Sequence, residues 1–373
     1  MNEERGIVAV AMSGGVDSST AACLLAEQGY RVIGITLKLF CYSSRTGPER
    51  SCCNLQAIAD ARSVCDRIGA PHYVLGAETQ FRKEVIDRFV DTYLEGRTPN
   101  PCADCNTYIK FHFLLEKARK LGADHLATGH YVRLVNADAA GRDTVAEPRL
   151  ARGRDPEKDQ SYFLWGIPRR ALPFLLFPLG EYRKSEVREL AHRFGLAVAE
   201  KVESQEICFV ESGSIEEYIR SHQQERGETD HPGLKPGEVV DTRGRKLGEH
   251  RGAAFYTIGQ RKGLGVSLGK PAYVTSVDTA AGRIVLGEGE DLLSSKLEAS
   301  PVNFLTDPPA APFRAEVQIR YRSRPVAATV IPDGPNGVKV KMDLPQRSVA
   351  PGQSVVFYDG GVVIGGGIIR SAG

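Results

Sequence analysis

The first third of the chain alternates short apolar runs with longer runs in which apolar residues recur at helical spacing. Short runs rich in branched residues predict buried strands, and apolar positions three and four apart predict amphipathic helices. Strands that alternate with helices are typical of a parallel, doubly wound α/β sheet. The predicted strands are residues 8–11, 31–37, 72–75 and 124–130, and the predicted helices are a run closing near Gly29 and residues 55–68, 80–94 and 108–121.

The pattern changes beyond about Gly213, where strands become short and glycine turns frequent. Polar and apolar positions alternate over residues 313–321, as in a barrel strand. We therefore predict three domains. These are an α/β domain over residues 1–213, a small β-rich domain over 214–293 and a barrel-like β domain over 294–373.

The stretch Ser13–Ser18 (Ser-Gly-Gly-Val-Asp-Ser) joins the first predicted strand to the first predicted helix. Its glycines let the backbone approach an anion closely, and the N–H groups and dipole of a helix start attract negative charge. The stretch lacks the lysine of a Walker loop. It resembles the pyrophosphate loop of ATP pyrophosphatases, which cleave ATP between the α- and β-phosphates. The plain alternative is an ordinary strand-to-helix turn.

Ligands of parallel sheets bind at the carboxyl ends of the strands. In this sequence that edge collects Ser13, Leu37, Gly129 and His130, so we expect the nucleotide base near Leu37 and Gly129. Asp17 does not suit a simple anion cradle, and we expect it to face Mg²⁺ or a ribose.

Composition narrows the functional class. The chain has 373 residues, 42% of them hydrophobic, and a net charge of +2, so affinity for nucleic acid must come from local patches. We find no basic, apolar leader at the N-terminus and no apolar run of membrane-spanning length. We therefore expect a cytosolic protein whose 8 cysteines are mostly thiols, metal ligands or catalysts.

A second candidate reactive site lies at Cys102 and Cys105, which form a Cys-x-x-Cys pair. The pattern predicts that a helix begins at Cys105, with Asn106 as its N-cap. A helix start stabilises a thiolate and so lowers the pKa of the thiol, and Lys110 one turn later adds to this effect. The pair is alternatively a redox pair or half of a metal site.

The other cysteines have plainer interpretations. Cys41, Cys52, Cys53 and Cys65 lie in or after a loop-like segment without histidine or zinc spacing, and we interpret them as plain thiols. Cys208 stands between two large apolar residues, which is typical of a buried, inert thiol.

Three basic stretches suggest an anionic partner. Residues 152–165 mix basic, amide and aromatic groups, as a nucleic-acid contact does and as a solvated turn before a helix equally does. Arg261 and Lys262, and the cations of residues 320–324, fall in the β-rich part. Because they lie on separate modules, together they indicate an extended anion.

Taken together, these stretches resemble one family, the tRNA-specific 2-thiouridylases or tRNA-uridine 2-sulfurtransferases, over nearly the whole chain. Seven strings occur in the family's order. They are Ser13–Ser18, Thr98–Pro101 through Cys105-Asn106, Lys158–Leu164, Ser204-Gln205 with Ile207–Phe209, Tyr256–Arg261, Ile319–Tyr321 and Ala350–Gln353.

The resemblance implies site residues. It places ATP, with Mg²⁺ as part of the substrate, at Ala11, Met12, Ser13, Gly14, Gly15, Val16, Asp17, Ser18, Leu37 and Gly129. It implies contacts to the target base from Asn100, Pro101 and Cys102. It implies tRNA contacts from His130, Lys158, Asp159, Gln160, Arg320, Tyr321 and Gln353.

The resemblance also implies the reaction. Members adenylate O2 of the wobble uridine, position 34, in tRNAs for lysine, glutamate and glutamine, and then replace that oxygen with sulfur. Cys208 matches the cysteine that receives sulfur as a persulfide, and Cys105 matches the second catalytic cysteine, a nucleophile. Some members have an Asp, proposed as an acid–base group, where this chain has Cys102. The sulfur donor would be a cysteine desulfurase or a sulfur-relay protein.

Two routes for sulfur remain open at this point. In one, Cys208 carries a persulfide that Cys105 cleaves, and Cys102 is a bystander. In the other, all three cysteines ligate a [4Fe–4S] cluster with one open iron. We favour the persulfide route because it needs only the two cysteines that match the family's catalytic pair.

Rival functions share single features of the sequence. Another enzyme with the same loop would be a 4-thiouridine synthase or an amide-forming synthetase. A rival of another class is a non-catalytic RNA-binding iron–sulfur or zinc protein. An ATP–pyrophosphate exchange assay separates that class from the enzymes.

Overall fold

The protein is described here from a computed structural model, which covers residues 5–39, 55–136, 147–201, 207–210, 214–266, 269 and 271–373. Cys41, Cys52 and Cys53, and the string Ser204-Gln205, lie outside the described residues. No helix in the described ranges is long and apolar enough to cross a membrane.

The helices are mostly short. Two segments, Arg82–Asp87 and Cys105–Leu114, are π-helical. The α-helices are α1 (Val16–Glu27), α2 (Leu55–Arg67), α3 (Glu78–Phe81), α4 (Arg88–Leu94), α5 (Pro101–Asp104), α6 (Leu115–Lys120), α7 (Lys184–Arg193) and α8 (Ile215–Arg226).

Strands occur throughout the chain. Those of the first half are β1 (Ile7–Ala11), β2 (Arg31–Lys38), β3 (His72–Gly76), β4 (His125–Ala127), β5 (Val132–Val135), β6 (Arg149–Arg152) and β7 (Leu175–Leu176). Those of the second half are β8 (Gly237–Asp241), β9 (Lys246–His250), β10 (Tyr273–Asp278), β11 (Arg283–Gly287), β12 (Leu293–Phe304), β13 (Phe313–Gln318), β14 (Val326–Pro332), β15 (Val338–Arg347), β16 (Ser354–Asp359) and β17 (Val362–Ala372).

The chain divides into two compact units by its contacts. The first unit comprises Met1–Glu84, Cys102–Phe209 and Gly360–Val363. The second unit comprises Val85–Pro101, Val210–Asp359 and Ile364–Gly373. The division into three domains at residues 213 and 293 stays a prediction.

The first unit is built on a five-stranded sheet in the order β3-β2-β1-β4-β7. Its strands pair in parallel, with Val10 opposite Gly34 on one side and Ala127 on the other. Val10 is fully buried and packs with Leu25 of α1 and Val64 of α2, which explains the continuous apolar runs of the strands. The predicted doubly wound α/β fold is confirmed. β4 ends at Ala127 rather than at the predicted His130, because the chain turns away toward the site there.

The second unit contains two β structures. β8 to β11 form a sheet in the order β10-β11-β8-β9, packed around Val239 and Ile284. β12 to β17 form a closed barrel of six strands, because β12 pairs with both β15 and β17. Alternate residues such as Val338 and Val340 fill its interior. The expectation of two small β-rich structures, the last of them barrel-like, is confirmed.

Candidate active site

The loop between β1 and α1 is fixed by its own backbone and hydroxyls. Gly14 has φ +69°, and a Cβ at this position would lie 2.3 Å from the carbonyl oxygen of Ala57, so only glycine fits here. Ser18 Oγ accepts a hydrogen bond from Ser13 N at 3.1 Å and donates one to Gly15 O at 3.2 Å. Gly15 is the N-cap of α1 and has no side chain that could accept hydrogen bonds from the first N–H groups of the helix.

The carboxyl end of β4 packs directly on this helix start. A Cβ on Gly129 would lie 2.8 Å from Ser18 N, so a larger residue would push the 128–130 segment away from α1. Glycine at this position therefore allows the close approach of the two segments.

These segments enclose a cavity of about 220 Å³ in the first unit. Seven of the residues implied for ATP line it, whereas Gly14, Gly15 and Val16 shape the loop behind it. The seven are Ala11, Met12, Ser13, Asp17, Ser18, Leu37 and Gly129. The other lining residues are Ile35, Leu39, Cys105, Ile109, Lys110, Leu114, Thr128, His130 and Gln160. The sheet edge thus brings the Ser13–Ser18 loop and a cysteine together in one cavity.

Asp17 is held by two partners that sequence reasoning did not find. Its Oδ1 accepts hydrogen bonds from Lys184 Nζ at 2.7 Å and from Tyr131 Oη at 2.8 Å. Lys184 opens α7, and only 11% of its side chain is exposed. The ion pair and the hydrogen bond therefore fix this carboxylate in the site, and its expected contact with Mg²⁺ or a ribose stays a prediction.

The residues also fit a Mg²⁺ that arrives with a nucleotide. Mg²⁺ is commonly held by one or two carboxylates together with substrate phosphates. Asp17 supplies such a carboxylate at the cavity. Across the described part of the chain no three His, Cys, Asp or Glu side chains form a group that would hold a metal ion by themselves.

A second lysine braces the loop from behind. Lys201 Nζ donates to Gly14 O at 2.9 Å and to Asp60 Oδ2 at 2.8 Å. Lys201 thus links the loop to α2, and no motif in the sequence pointed to this contact.

Cys105 lies one turn inside a helix rather than at its start, so the predicted boundary is wrong. The helix begins at Pro101, and Cys102 occupies its first turn. Pro fits the first helical position because it needs no N–H partner there. Asn106 is therefore not an N-cap; it is buried, and its Nδ2 donates to Phe163 O at 3.2 Å.

The π-helical geometry of Cys105–Leu114 places Cys105 and Lys110 on one face. Residues five apart align along a π-helix. Both side chains line the cavity. The sequence pattern did not predict this segment, because its apolar spacing is equally compatible with an α-helix.

His130 forms part of the cavity wall as a neutral ring. Lys110 Nζ lies 3.4 Å from Nε2, and an ammonium group can only donate, so Nδ1 carries the proton toward Thr128 Oγ1 at 2.6 Å. Burial, together with the nearby charge of Lys110, holds the pKa of His130 well below 6.5. A neutral ring keeps the cation of Lys110 in place.

Cys208 lies in the first unit and is half-buried. Its neighbour Phe209 packs edge-on against Phe81 of α3, with ring centroids 5.9 Å apart. α3 in turn packs against the π-helical segment that begins at Cys105. Phe209 therefore anchors the Cys208 segment beside the helix that carries Cys105.

The five described cysteines are thiols rather than disulfides. Cys102, Cys105 and Cys208 do not form a metal-ligand group within the described residues, so the iron–sulfur alternative lacks its ligand set. Burial raises the pKa values of Cys23 and Cys65 to about 11, which fits inert core thiols.

The Lys158–Gln160 segment is held largely by internal contacts. The buried carboxylate of Asp159 accepts hydrogen bonds from Arg152, Gly153 and Ser161. Gln160 lines the cavity, and its Oε1 accepts from Tyr131 N at 3.0 Å. Asp159 therefore shapes this loop.

Two of the family strings meet in the second unit. Gln353 Nε2 donates to the carbonyls of Thr98 at 3.2 Å and Pro99 at 2.9 Å. Asn100 Nδ2 donates to Ser354 Oγ at 3.2 Å. A Cβ on Gly352 would lie 2.7 Å from Thr98 O. The 350–354 loop therefore clamps the segment that leads into Pro101 and α5.

Arg320 and Tyr321 follow β13 on a tight turn. Arg320 is exposed, and its carbonyl accepts hydrogen bonds from Ser323 N at 3.1 Å and Ser323 Oγ at 2.8 Å. The guanidinium of Arg322 lies 5.4 Å from the centroid of the Tyr321 ring. The hydrogen bonds fix the backbone of this turn, which carries the side chains of Arg320, Tyr321 and Arg322.

Three family models match successive ranges of the chain. Residues 6–212 match the family described as tRNA methyl transferase HUP domain. Residues 229–288 match the tRNA methyl transferase PRC-barrel domain, and residues 294–369 match the aminomethyltransferase beta-barrel domain.

Relatives with similar sequences match this chain over nearly its whole length. The tRNA-specific 2-thiouridylase MnmA of Moorella thermoacetica is 50% identical over 364 residues, covering 97% of this chain and 99% of that protein. The one from Clostridioides difficile is 44% identical over 366 residues, covering 98% of each. Among solved structures, a 4-thiouridine synthetase in complex with RNA and ATP matches with TM-score 0.34 and 16% identity, covering 60% of this chain and 54% of that one. Because the identity to the full-length relatives extends over nearly the whole sequence, this chain belongs to the tRNA-specific 2-thiouridylase family.

Proposed function

We propose that the protein is an ATP-dependent sulfurtransferase that converts the wobble uridine of tRNA, position 34, to 2-thiouridine. The observation that carries the proposal is that the Ser13–Ser18 loop and Cys105 line the same cavity of the first unit. Activation by ATP and attack by sulfur require such proximity, because the activated base must meet the sulfur before water does.

ATP would occupy the cavity with its phosphates at the start of α1. The first N–H groups of α1 and the hydroxyl of Ser13 suit phosphate oxygens, whereas Leu37 and Gly129 suit the base. Mg²⁺ would enter with the phosphates and contact Asp17. The ion pair of Asp17 with Lys184 then leaves a lysine beside the phosphates, where its charge offsets theirs.

The first step would be adenylation. O2 of the uridine attacks the α-phosphorus of ATP, the bond to the β-phosphate breaks, and pyrophosphate leaves. The C2 carbonyl of uridine is a poor electrophile whose oxygen is a poor leaving group, and adenylation makes that oxygen leave as AMP. Asn100, Pro101 and Cys102 are the proposed contacts of the target base, and the clamp by the 350–354 loop supports a fixed position for Asn100.

The second step would transfer sulfur. The terminal sulfur of a Cys208 persulfide attacks C2, and AMP leaves with the former O2. The thiolate of Cys105 then attacks the Cys208 sulfur, which releases 2-thiouridine and leaves a Cys105–Cys208 disulfide. A thiol reductant from solution restores both thiols. The Lys110 ammonium on the same face of the π-helix favours the Cys105 thiolate.

The partners would be tRNAs for lysine, glutamate and glutamine and a protein that delivers sulfane sulfur, either a cysteine desulfurase or a sulfur-relay protein. His130 and the Lys158–Gln160 segment are proposed tRNA contacts in the first unit. Arg320, Tyr321 and Gln353 are proposed contacts in the second. The exposed cation of Arg320 suits a phosphate.

The decisive experiment measures pyrophosphate release and wobble nucleosides together. With unmodified glutamate tRNA, ATP, Mg²⁺ and a persulfide donor, we expect pyrophosphate, AMP and 2-thiouridine at position 34 in equal amounts. Cys105→Ser and Cys208→Ser should keep adenylation and lose 2-thiouridine, whereas Cys102→Ser should keep most of both. Release of ADP, or thiolation at another position, would contradict the proposal.

A further inference from the structure

The string Tyr256–Arg261 has no part in the proposed reaction, yet it forms a rigid loop in the second unit. Gln260 Oε1 accepts from Thr257 N at 3.1 Å, and its Nε2 donates to Lys262 O at 3.0 Å. Gly259 has φ +86°, and a Cβ there would lie 2.4 Å from Ser348 Oγ. The loop is thus fixed from within and against residue 348.

This loop exposes two cations beside a tyrosine that binds a third. Arg261 and Lys262 are exposed. The guanidinium of Arg347 lies 4.3 Å from the centroid of the Tyr273 ring. The nearby guanidinium groups of Arg347 and Arg261 lower the pKa of the Tyr273 phenol. Both guanidinium groups therefore lie close to the Tyr273 side chain.

The charge of this patch is not neutralised by the protein. Within the described residues, Arg261, Lys262 and Arg347 form no ion pair with a carboxylate. By contrast, Arg245 of the same sheet region pairs with Asp241 at 2.7 Å, and Lys246 pairs with Glu249 at 3.0 Å. Three unpaired cations next to one another repel, so they favour a polyanion that lies across them.

The patch continues the clamped segment described above. Arg347 and Ser348 immediately precede the 350–354 loop, whose Gln353 holds Thr98 and Pro99. One connected set of contacts therefore joins the patch to Asn100 within the second unit.

We propose that Arg261, Lys262, Tyr273 and Arg347 form a phosphate-binding patch for the sugar–phosphate backbone of the tRNA, next to the residues that clamp Asn100. The inference rests on the proposed function, since that function supplies the tRNA. A guanidinium group can bind two phosphate oxygens at once, and the Tyr273 ring supports the guanidinium of Arg347 through a contact of 4.3 Å. Such contacts fix the register of the RNA and carry no base sequence.

The test measures binding of an unmodified glutamate tRNA transcript as a function of salt concentration. Each lost phosphate contact lowers the slope of log K against log salt by about 0.7–0.9. We expect R261A/R347A to lower that slope by roughly twice this amount. KM for tRNA should rise in the pyrophosphate-release assay while kcat stays unchanged. Y273F should weaken binding about two- to threefold with the slope unchanged, because the charges remain.

The matched control is R245A, which removes an equally exposed arginine that already has a carboxylate partner. It should leave both affinity and slope at the wild-type values. A wild-type slope in R261A/R347A, with unaltered circular dichroism, would overturn the patch. Thiolation by the wild type separates the two proposals. If the wild type thiolates the same transcript but R261A/R347A has the wild-type salt slope, only the patch fails. If the wild type does not thiolate the transcript, the proposed function fails.

Discussion

The cavity of the first unit and the surface of the second unit around Arg320 and Arg261 use their family strings differently. At the cavity, Gly14 adopts a left-handed backbone conformation, and Ser18 accepts a hydrogen bond from the backbone of the loop. On the second unit, Arg320 and Arg261 extend into solvent from backbone that other residues fix. The cavity therefore depends on shape, and the surface depends on charge.

The difference shows that a residue in a family string can hold the fold of this chain through its own hydrogen bonds. Asp159 and Gln353 both resemble tRNA-contact residues, but each makes hydrogen bonds that hold a neighbouring segment of this chain. A buried polar group satisfied from within is costly to remove, because its partners lose their hydrogen bonds as well. Substitutions at such positions change positioning, whereas substitutions at exposed cations change affinity and its salt dependence.

The largest effect is expected for Gly14→Ala. The left-handed φ costs on the order of 1–3 kcal/mol in any such variant, and here the Cβ also meets the backbone of Ala57. A displaced loop should reduce tRNA-dependent pyrophosphate release at least about a hundredfold. The control is Gly122→Ala, which has φ +82° but open space around the Cβ. If both variants lose equal activity, backbone strain alone explains the loss and the shape argument fails.

A second contrast compares two ion pairs of the same helix. Lys184→Met leaves Asp17 without its lysine in a largely buried setting and should lower the free energy of unfolding by about 1–3 kcal/mol. Arg193→Met breaks an exposed pair with Glu27 and should cost less than about 1 kcal/mol. Urea unfolding of both variants, and of Asp17→Asn with Lys184→Met, measures the difference and the coupling. Equal costs would show that the Asp17 pair adds nothing specific.

The cavity also predicts an acid-sensitive stability that the surface lacks. The pKa of His130 lies well below 6.5 when folded, so the unfolded chain binds its proton first as the pH falls. Stability should therefore be fully present above about pH 6.5 and decline below it, by at most about 1.4 kcal/mol per pH unit for this group. His130→Gln should show a shallower decline between pH 7.5 and 5.5 in urea unfolding. The exposed His112→Gln should follow the wild type.

The smallest effects are expected for two variants of the second unit, Arg320→Ala and Gln353→Ala. The first removes a charge, and the second removes hydrogen bonds that position a neighbouring segment. Arg320→Ala should lower the slope of log K against log salt for tRNA by about 0.7–0.9. Gln353→Ala carries no charge change and should leave the slope unchanged, but it frees Thr98 and Pro99 and should lower kcat for thiolation. An altered salt slope in Gln353→Ala would mean that Gln353 acts on phosphate and not on the clamp.

The sequence by itself determined the parallel sheet, the conformation of the Ser13–Ser18 loop and the family. The spacing of apolar residues and the positions of glycines are local properties of the sequence. A few neighbouring residues are therefore enough to predict the strands, the helices and the loop between them. This is why Leu37 and Gly129 were correctly expected at one edge of the sheet with Ser13.

Only the tertiary structure decided which side chains complete the sites. Lys184 is 167 residues from Asp17, and Gln353 is 255 residues from Thr98, so no local pattern pairs them. The hydrogen bonds of the π-helical segment Cys105–Leu114 span five residues instead of the four of an α-helix. This difference is too small for the spacing of apolar residues to reveal it. Ion pairs, clamps and helix register depend on packing between distant segments, and that packing exists only once the whole chain has folded.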